Sequence, residues 1–307
     1  MKLAALSRYD NDNDTRFGDC ILIKNARVLI IYDCGHEKHA EEIENILKNN
    51  IDINEVNIII SHNDNDHTNG VSKIMEYLKN QDYSVKLYTS LYLKDTDKIL
   101  EILDDERRTP KATREHILEM FDNIRDIVNK ANELGFEVIN AEVNTNIPSG
   151  KIVGPTVDEF ASVVAKAIET GNAGTKIDGE SVMNAASVQI KITLEGGKQV
   201  FLCGDATPEY LHNLENYEII QLPHHGKLES AKKIFDMLED PYIKEYLISD
   251  NTGSGEKSGG SDALVEFMKE ENYTEAYNTK NGVINIPENV TMVRGTRREV
   301  KLGGVVN

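Results

Sequence analysis

Ten residues constrain this chain more than any others: Ser61-His62-Asn63-Asp64-Asn65-Asp66-His67-Thr68-Asn69-Gly70. They follow the apolar run Val56-Asn57-Ile58-Ile59-Ile60, which reads as a short buried strand, and precede a helix-like stretch beginning near Val71. Two imidazoles and two carboxylates therefore share one strand-to-helix turn within six residues. Carboxylates this close repel one another unless a cation holds them, and His beside carboxylate is ordinary metal-ligand chemistry. The plain alternative is a solvated Asn/Asp-rich loop. The partners found further along the chain favour a metal-holding turn.

Length and composition set the outer limits. At 307 residues the chain can form one large domain or two small ones, and its 39% apolar and 28% charged content belongs to a globular protein. The opening Met1-Lys2-Leu3-Ala4-Ala5-Leu6 meets Ser7-Arg8-Tyr9-Asp10 at once, too soon for a signal peptide. No apolar run approaches membrane-spanning length, so a cytoplasmic location without membrane contact is expected. Cys20, Cys34 and Cys203 lie in strand-like runs without CxxC spacing and read as reduced, buried thiols, although Cys34 and Cys203 adjoin candidate site segments. A net charge of −18 disfavours a broad duplex-DNA surface, because phosphate contacts need clustered Lys and Arg. The basic tail, Arg294, Arg297, Arg298 and Lys301, is the exception and reads as a solvated edge.

Taken in order, Lys2–Leu6, Cys20–Lys24 and Arg27–Tyr32 read as strands, Ala40–Leu47 as a helix, Val71–Leu78 as a helix and Val85–Tyr88 as a strand. Such alternation implies an α/β architecture. The next stretch is generous: Leu93–Leu103 and Arg114–Ala131 both keep helical spacing, and 91–136 is expected to be an inserted helical hairpin. It could be structural filler, a substrate lid, or a surface for a homodimer or protein partner; His116 within it reads as a surface residue. Val157–Ile168 is another amphipathic helix, stopped by Gly171. Asn184-Ala185-Ala186-Ser187 then leads into the strand Val188–Leu194, a Gly196-Gly197 turn, the strand Gln199–Leu202 and Cys203-Gly204-Asp205. A helix Pro208–Leu214, a strand Glu218–Leu222 and Pro223-His224-His225-Gly226 follow, and Asn251–Ser261 is a Gly/Ser-rich loop.

His-x-Asp-x-Asp-His followed by a polar-Gly exit resembles the signature of the metallo-β-lactamase fold, usually His-x-His-x-Asp-His. With Asp64 at the second position, and with the order Asn-x-x-Ser, strand, Gly-Gly turn, strand, Gly-Asp-Ala, helix, strand and Pro-His-His-Gly, the chain resembles the ComEC-type hydrolase domain of DNA-uptake competence proteins. The resemblance covers about Lys2–Gly226 apart from the insertion, and implies one domain over 1–307, an αββα sandwich. It also implies that His62 and Asp64 hold one metal, that Asp66, His67 and His225 hold another, and that Asp205 bridges the two. Either His224 or His225 could be the ligand. His225 is favoured because Gly226 follows it, leaving His224 to brace the site or give a proton to the leaving group. Asp33, Asp19 and Asn184 would brace the ligands; Asp33 before Cys34-Gly35 could equally be a turn-forming residue.

The chain departs from the family at Asp64, in lacking a counterpart to the middle His ligand, and near Ser258-Gly259-Gly260-Ser261, where ComEC-like relatives tend to carry a His. The implied set of three carboxylates and three imidazoles is harder than a lactamase site. It expects one or two divalent ions, Mn²⁺ or Mg²⁺ before Zn²⁺. Two such ions generate a bound hydroxide and clamp an in-line displacement, the logic of phosphodiester hydrolysis, with Asp66 and His224 as the proton-handling groups. The expected function is a metal-dependent phosphodiesterase or nuclease acting on nucleotide-sized or single-stranded substrates. The alternatives are a lactone, thioester or β-lactam hydrolase, and a partner-dependent module of a larger assembly, defence systems included.

Overall fold

The computed structural model describes residues 1–6, 18–91, 115, 121–170, 176–177, 180–251, 261–273 and 276–288. Its strands are short, strongly apolar runs, and the side-chain period of two sorts each run onto two faces. In β3 (Val28–Tyr32), Leu29 and Ile31 face one way and Ile30 and Tyr32 the other, all fully buried. Burial on both faces requires cover on both, which two sheets and two helical layers supply.

The first sheet joins β1 (Lys2–Ala5), β2 (Ile21–Asn25), β3, β4 (Glu55–Ile59), β5 (Ser84–Thr89) and β6 (Glu137–Asn140), with β16 (Ile284–Ile286) pairing on β1. The second joins β7 (Asn146–Ile147), β8 (Gly150–Gly154), β11 (Gln189–Thr193), β12 (Gln199–Leu202), β13 (Ile219–Gln221), β14 (Glu245–Ile248) and β15 (Ala276–Asn278). A separate two-residue ladder pairs β9 (Lys176–Ile177) with β10 (Glu180–Ser181). The sheets share a plan. An antiparallel pair, β2–β3 or β11–β12, opens a run of parallel strands, β3–β4–β5–β6 or β12–β13–β14–β15.

Between the sheets lies an apolar layer in which Ile23, Ile30 and Ile59 pack with Ile190, Val200 and Leu247. Outside the first sheet, Leu29, Ile31 and Ile58 pack in one cluster with residues of the helices Glu37–Asn49, Val71–Asn80, Asp122–Glu133 and Val157–Thr170. Outside the second, Phe201, Ile220 and Tyr246 share a cluster with residues of the helices Leu228–Met237 and Asp262–Glu270. The result is the αββα sandwich that the motif resemblance implied. No helix among the described residues is long and apolar enough to cross a membrane.

One local reading changes, and another lies largely outside the described residues. Instead of a helix over Pro208–Leu214 the chain makes two 3₁₀ turns, Pro208–Tyr210 and Leu214–Asn216, separated where Asn213 takes a left-handed backbone (φ 55°) that an α-helix does not accept. Of the expected hairpin over 91–136, residues 92–114 and 116–120 lie outside the described residues, as does His116. Its described end is built into the core: Phe121, Ile124, Ile127 and Ala131 are buried against the first sheet, and the helix Asp122–Glu133 precedes β6, the parallel neighbour of β5.

The two sheets are also joined by a polar contact. The buried Tyr32 hydroxyl donates to the Val188 carbonyl at 2.7 Å, just before β11. Tyr32→Phe leaves that carbonyl without its donor, and is expected to destabilise the fold by about 1–3 kcal/mol. Chemical denaturation should show a lower midpoint at unchanged slope. An unmoved midpoint would show that the carbonyl finds another donor.

Candidate metal centre

Parallel strands present their C-terminal ends on one edge, and antiparallel neighbours present their N-terminal ends there. That edge is where open α/β sheets gather ligands. Here it collects Asp33 after β3, His62 after β4, Asp205 after β12, His225 after β13 and Asn251 after β14, together with Asp19 before β2 and Ser187 before β11. Close approach between segments is enforced at two glycines. A Cβ on Gly18 (φ +65°) would lie 1.7 Å from the Asp66 carbonyl oxygen, and one on Gly204 (φ +53°) 2.8 Å from Ser61 Cβ. His224 and His225 both have left-handed backbones, φ 53° and 57°, so Pro223–Gly226 is a tight turn that aims two consecutive imidazoles differently.

Each of the three imidazoles His62, His67 and His225 is held from behind. His67 Nδ1 lies 2.8 Å from Asp33 Oδ2, and Asp33 also accepts from the Ser61 amide at 2.7 Å and the Ser61 hydroxyl at 2.6 Å. His225 Nδ1 is 3.0 Å from both Asp19 Oδ1 and the Ser249 carbonyl, while Asp19 Oδ2 accepts from Gln221 at 2.7 Å. His62 Nδ1 is 2.9 Å from the Ser61 hydroxyl. With Nδ1 engaged in each ring, the Nε2 atoms face one another across a small buried space.

Most of the distances inside that space are longer than ordinary hydrogen bonds. Asp205 Oδ2 is 3.9 Å from His62 Nε2 and 3.7 Å from His225 Nε2, and Asp205 Oδ1 is 3.5 Å from His67 Nε2. Asp64 Oδ2 is 3.9 Å from His62 Nε2, and Asp66 Oδ2 is 3.3 Å from His225 Nε2. Two ligand atoms about 2.1 Å from one tetrahedral ion lie roughly 3.4 Å apart, whereas hydrogen-bonded pairs sit nearer 2.9 Å. His62 Nε2 and His67 Nε2 are buried and have no hydrogen-bond partner. Buried polar atoms are rarely left so, and this donor set fits a divalent cation. Two overlapping triads, Asp19/His67/His225 and His62/His67/Asp205, have potential ligand atoms within 4.8 Å of one another. In the first, Asp19 already spends its oxygens on Gln221 and His225 Nδ1, which suits a brace better than a ligand.

The electrostatics follow from this crowding. Burial lowers His62, and His67 beside it lowers it further, to about 4. Burial also opposes the charged forms of His67 and His225, but Asp205 together with Asp33 or Asp19 outweighs it and holds both imidazoles well above their usual range. Burial would raise Asp205, yet His225 and His67 keep it well below the carboxylate range. Asp66 is lowered against the same opposition by its contact with His225. Asp64 goes the other way, pushed up to about 6 by burial and by Asp66 and Asp205.

Of the residues singled out in the sequence, His62, Asp64, Asp66, His67, Asp205 and His225 converge here, and Asn184 Nδ2 donates to Asp205 Oδ2 at 3.3 Å. The His224 ring stands edge-on to His225, at 5.9 Å between centroids, and the His224 amide donates to Asp205 Oδ1 at 3.2 Å. The three cysteines are buried free thiols outside both triads. Sequence reasoning passed over Ser61, Gln221 and Asn251. Asn251 Nδ2 donates to Asp66 Oδ2 at 2.6 Å while its Oδ1 accepts from the Gly18 amide at 3.1 Å. An amide at the end of a strand-like run was the available signal.

The metallo-beta-lactamase superfamily matches residues 13–175 of the sequence, just over half of the chain. No curated protein matches it. Among solved structures, human tRNase Z (short form) aligns over 72% of this chain and 76% of its own at 11% identity, with a TM-score of 0.37. The metallo-beta-lactamase fold protein YhfI from Bacillus subtilis covers 90% of this chain and 95% of its own at 9% identity, with a TM-score of 0.44. A long form RNase Z from yeast covers 80% of this chain and 37% of its own at 13% identity, with a TM-score of 0.38.

Metal uptake should release protons, because His67 and His225, raised in the metal-free chain, must lose theirs to become ligands. Apparent affinity for Mn²⁺ or Zn²⁺ is therefore expected to rise with pH through the range where these imidazoles titrate. It should fall most steeply below about 6, where Asp64 also takes up a proton. His62 is neutral above about 4 and adds nothing to the slope. Calorimetric titration in buffers of different ionisation enthalpy measures the protons released; a flat affinity from pH 5.5 to 8 would contradict this picture.

Proposed function

The chain belongs to the metallo-beta-lactamase superfamily, and from that premise we propose that it is a metal-dependent hydrolase of phosphodiesters, of the ComEC type, acting on nucleotide-sized or single-stranded nucleic acid. The observation that carries the reading is Asp205, whose two oxygens face His62, His67 and His225 across gaps of 3.5–3.9 Å with Asp64 and Asp66 alongside. His62 and Asp64 would hold one divalent ion, Asp66, His67 and His225 a second, with Asp205 shared. Three carboxylates favour Mn²⁺ or Mg²⁺, and a strongly charged pair of ions suits a phosphate better than a neutral lactam. When bound, the ions supply a nucleophile at neutral pH and neutralise the charge that develops on the phosphoryl oxygens.

The chain's own residues do the rest. Asp33 and Asp19 fix the tautomers of His67 and His225 so that each Nε2 lone pair points inward. Asp66, ionised beside His225, accepts the proton of the attacking water. His224 is half-buried at the rim, with its amide on Asp205, and delivers a proton to the leaving oxygen. The net charge of −18 disfavours long duplexes and leaves short or single-stranded substrates as the better fit.

A panel run with each metal tests the class: an aryl phosphodiester, single-stranded DNA, RNA, cyclic dinucleotides, a lactone, a thioester and a chromogenic lactam. The expected result is Mn²⁺- or Mg²⁺-stimulated phosphodiester turnover, lost in Asp205→Ala and His225→Ala and lowered by about 10²–10⁴ in His224→Ala. Turnover of the lactone, thioester or lactam alone would reject it. Metal uptake without any turnover would favour a module that needs a partner. In the same preparations Asp33→Asn should weaken metal binding by roughly 10–100-fold, less than His67→Ala.

A further inference from the structure

The spacer residues of His62-Asn63-Asp64-Asn65-Asp66-His67 are not idle. Asn63 is buried and turns away from the metal centre towards the helix Asp122–Glu133. Its Oδ1 accepts from the Ile124 amide at 2.9 Å, and its Nδ2 donates to Asp122 Oδ1 at 3.2 Å. In return, Asn123 Nδ2 donates to the Asn63 carbonyl at 2.7 Å and to Asn65 Oδ1 at 3.0 Å.

The first of these contacts has a specific meaning. The first amides of any helix lack partners within the helix, and an Asn, Asp, Ser or Thr at the N-cap normally accepts one from the third helical residue. Here the N-cap position is Phe121, which has no side-chain acceptor and is buried in the core. Asn63, about 60 residues earlier in sequence, supplies the missing oxygen to that third residue, Ile124. The helix is capped by the metal loop, and the loop is pinned by the helix.

We infer that Asn63 and Asn123 form a clamp that positions the turn bearing His62, Asp64, Asp66 and His67, so that metal affinity depends on a helix that contributes no ligand of its own. This rests on the reading of those four residues as metal ligands. The end of the turn is tied by Asp33 to His67, by the Asp19 amide to the Asp66 carbonyl and by Asn251 to Asp66. Asn63 and Asn123 hold its first half, where the N-cap, Asp64, makes no capping hydrogen bond of its own. Asn123 acts as a positioning residue, through the loop backbone and not on the ion.

The test compares wild type, Asn63→Ala, Asn123→Ala and the double variant as full-length proteins. Three quantities are read: Mn²⁺ affinity, the visible absorption of the Co²⁺-loaded chain, and the unfolding temperature without metal. Affinity in Asn123→Ala is expected to fall at least about tenfold, with an altered Co²⁺ spectrum, while the metal-free chain still unfolds cooperatively. The double variant should lose less than the product of the single fold-changes, because the two side chains tie the same two segments together. If Asn123→Ala does not fold, the exposed Asn65→Ala, which removes one end of the contact, is expected to show a smaller loss with the same spectral change. Wild-type affinity and spectrum in folded Asn123→Ala, or in Asn65→Ala where that variant is needed, would overturn the clamp. A wild-type chain that takes up no metal would instead sink the metal-site reading itself.

Discussion

The site depends on one buried carboxylate. Asp33 has no solvent exposure, and its oxygens receive the Ser61 amide, the Ser61 hydroxyl and His67 Nδ1. An ionised carboxylate taken from water costs several kcal/mol unless donors replace its hydration, and three short contacts do that here. The same contacts determine where the motif can go. The Ser61 amide fixes the chain as it leaves β4, and the His67 contact fixes the end of the ligand turn six residues later. Asp33 also takes a left-handed backbone, φ 59°, a conformation that persists only where the surroundings over-determine it.

The device is repeated across the two sheets, with Asp19 before β2 of the first and His225 after β13 of the second. Asp19 stands to His225 as Asp33 stands to His67, with Gln221 completing its donors. The two assemblies are cross-tied: the Asp19 amide donates to the Asp66 carbonyl, the Val188 amide to the Ser61 carbonyl, and Asn251 bridges Gly18 and Asp66. The first sheet thus supplies both bracing carboxylates and the second supplies His225, so the apolar layer between the sheets sets how the Asp19–His225 pair closes on the rest of the site. Small errors in packing would be felt as misplaced ligands, since interiors of this density shift as units.

How much of this was legible follows from the range of each signal. The strands were, because apolar runs such as Val56–Ile60 and Val28–Tyr32 carry their burial in local composition. So was the grouping of His62, Asp64, Asp66 and His67, which lie within six residues, and of Asp205 and His225, which end recognisable strands. Asn251 was not: its partner Asp66 lies 185 residues away, and an Asn before a Gly/Ser-rich stretch looks like any loop residue. Ser61 and Gln221 were missed for the same reason, being ordinary polar residues whose meaning comes from what the fold sets beside them. The helix Asp122–Glu133 was recognised by its period of 3.6, but periodicity names the buried face without saying what it is buried against. Its place in the first sheet's helical layer, and its hold on Asn63, are tertiary facts.

So many charges in one space each need an opposite charge beside them. Asp205 is buried, lowered well below its usual range, and flanked by His67 and His225, both raised well above theirs. Protonated imidazoles therefore do, in the metal-free chain, what a divalent cation would do in the loaded one: they supply positive charge on the inner side of Asp205 and Asp66. Exchange of imidazole protons for an ion leaves the local charge nearly balanced in both states, so neither asks the surrounding sheets to absorb an unpaired buried charge. His62 is the exception, held neutral by burial and by His67, with its Nε2 unpartnered. Of the three imidazoles that face Asp205, it is the one that needs no proton removed before it can bind an ion.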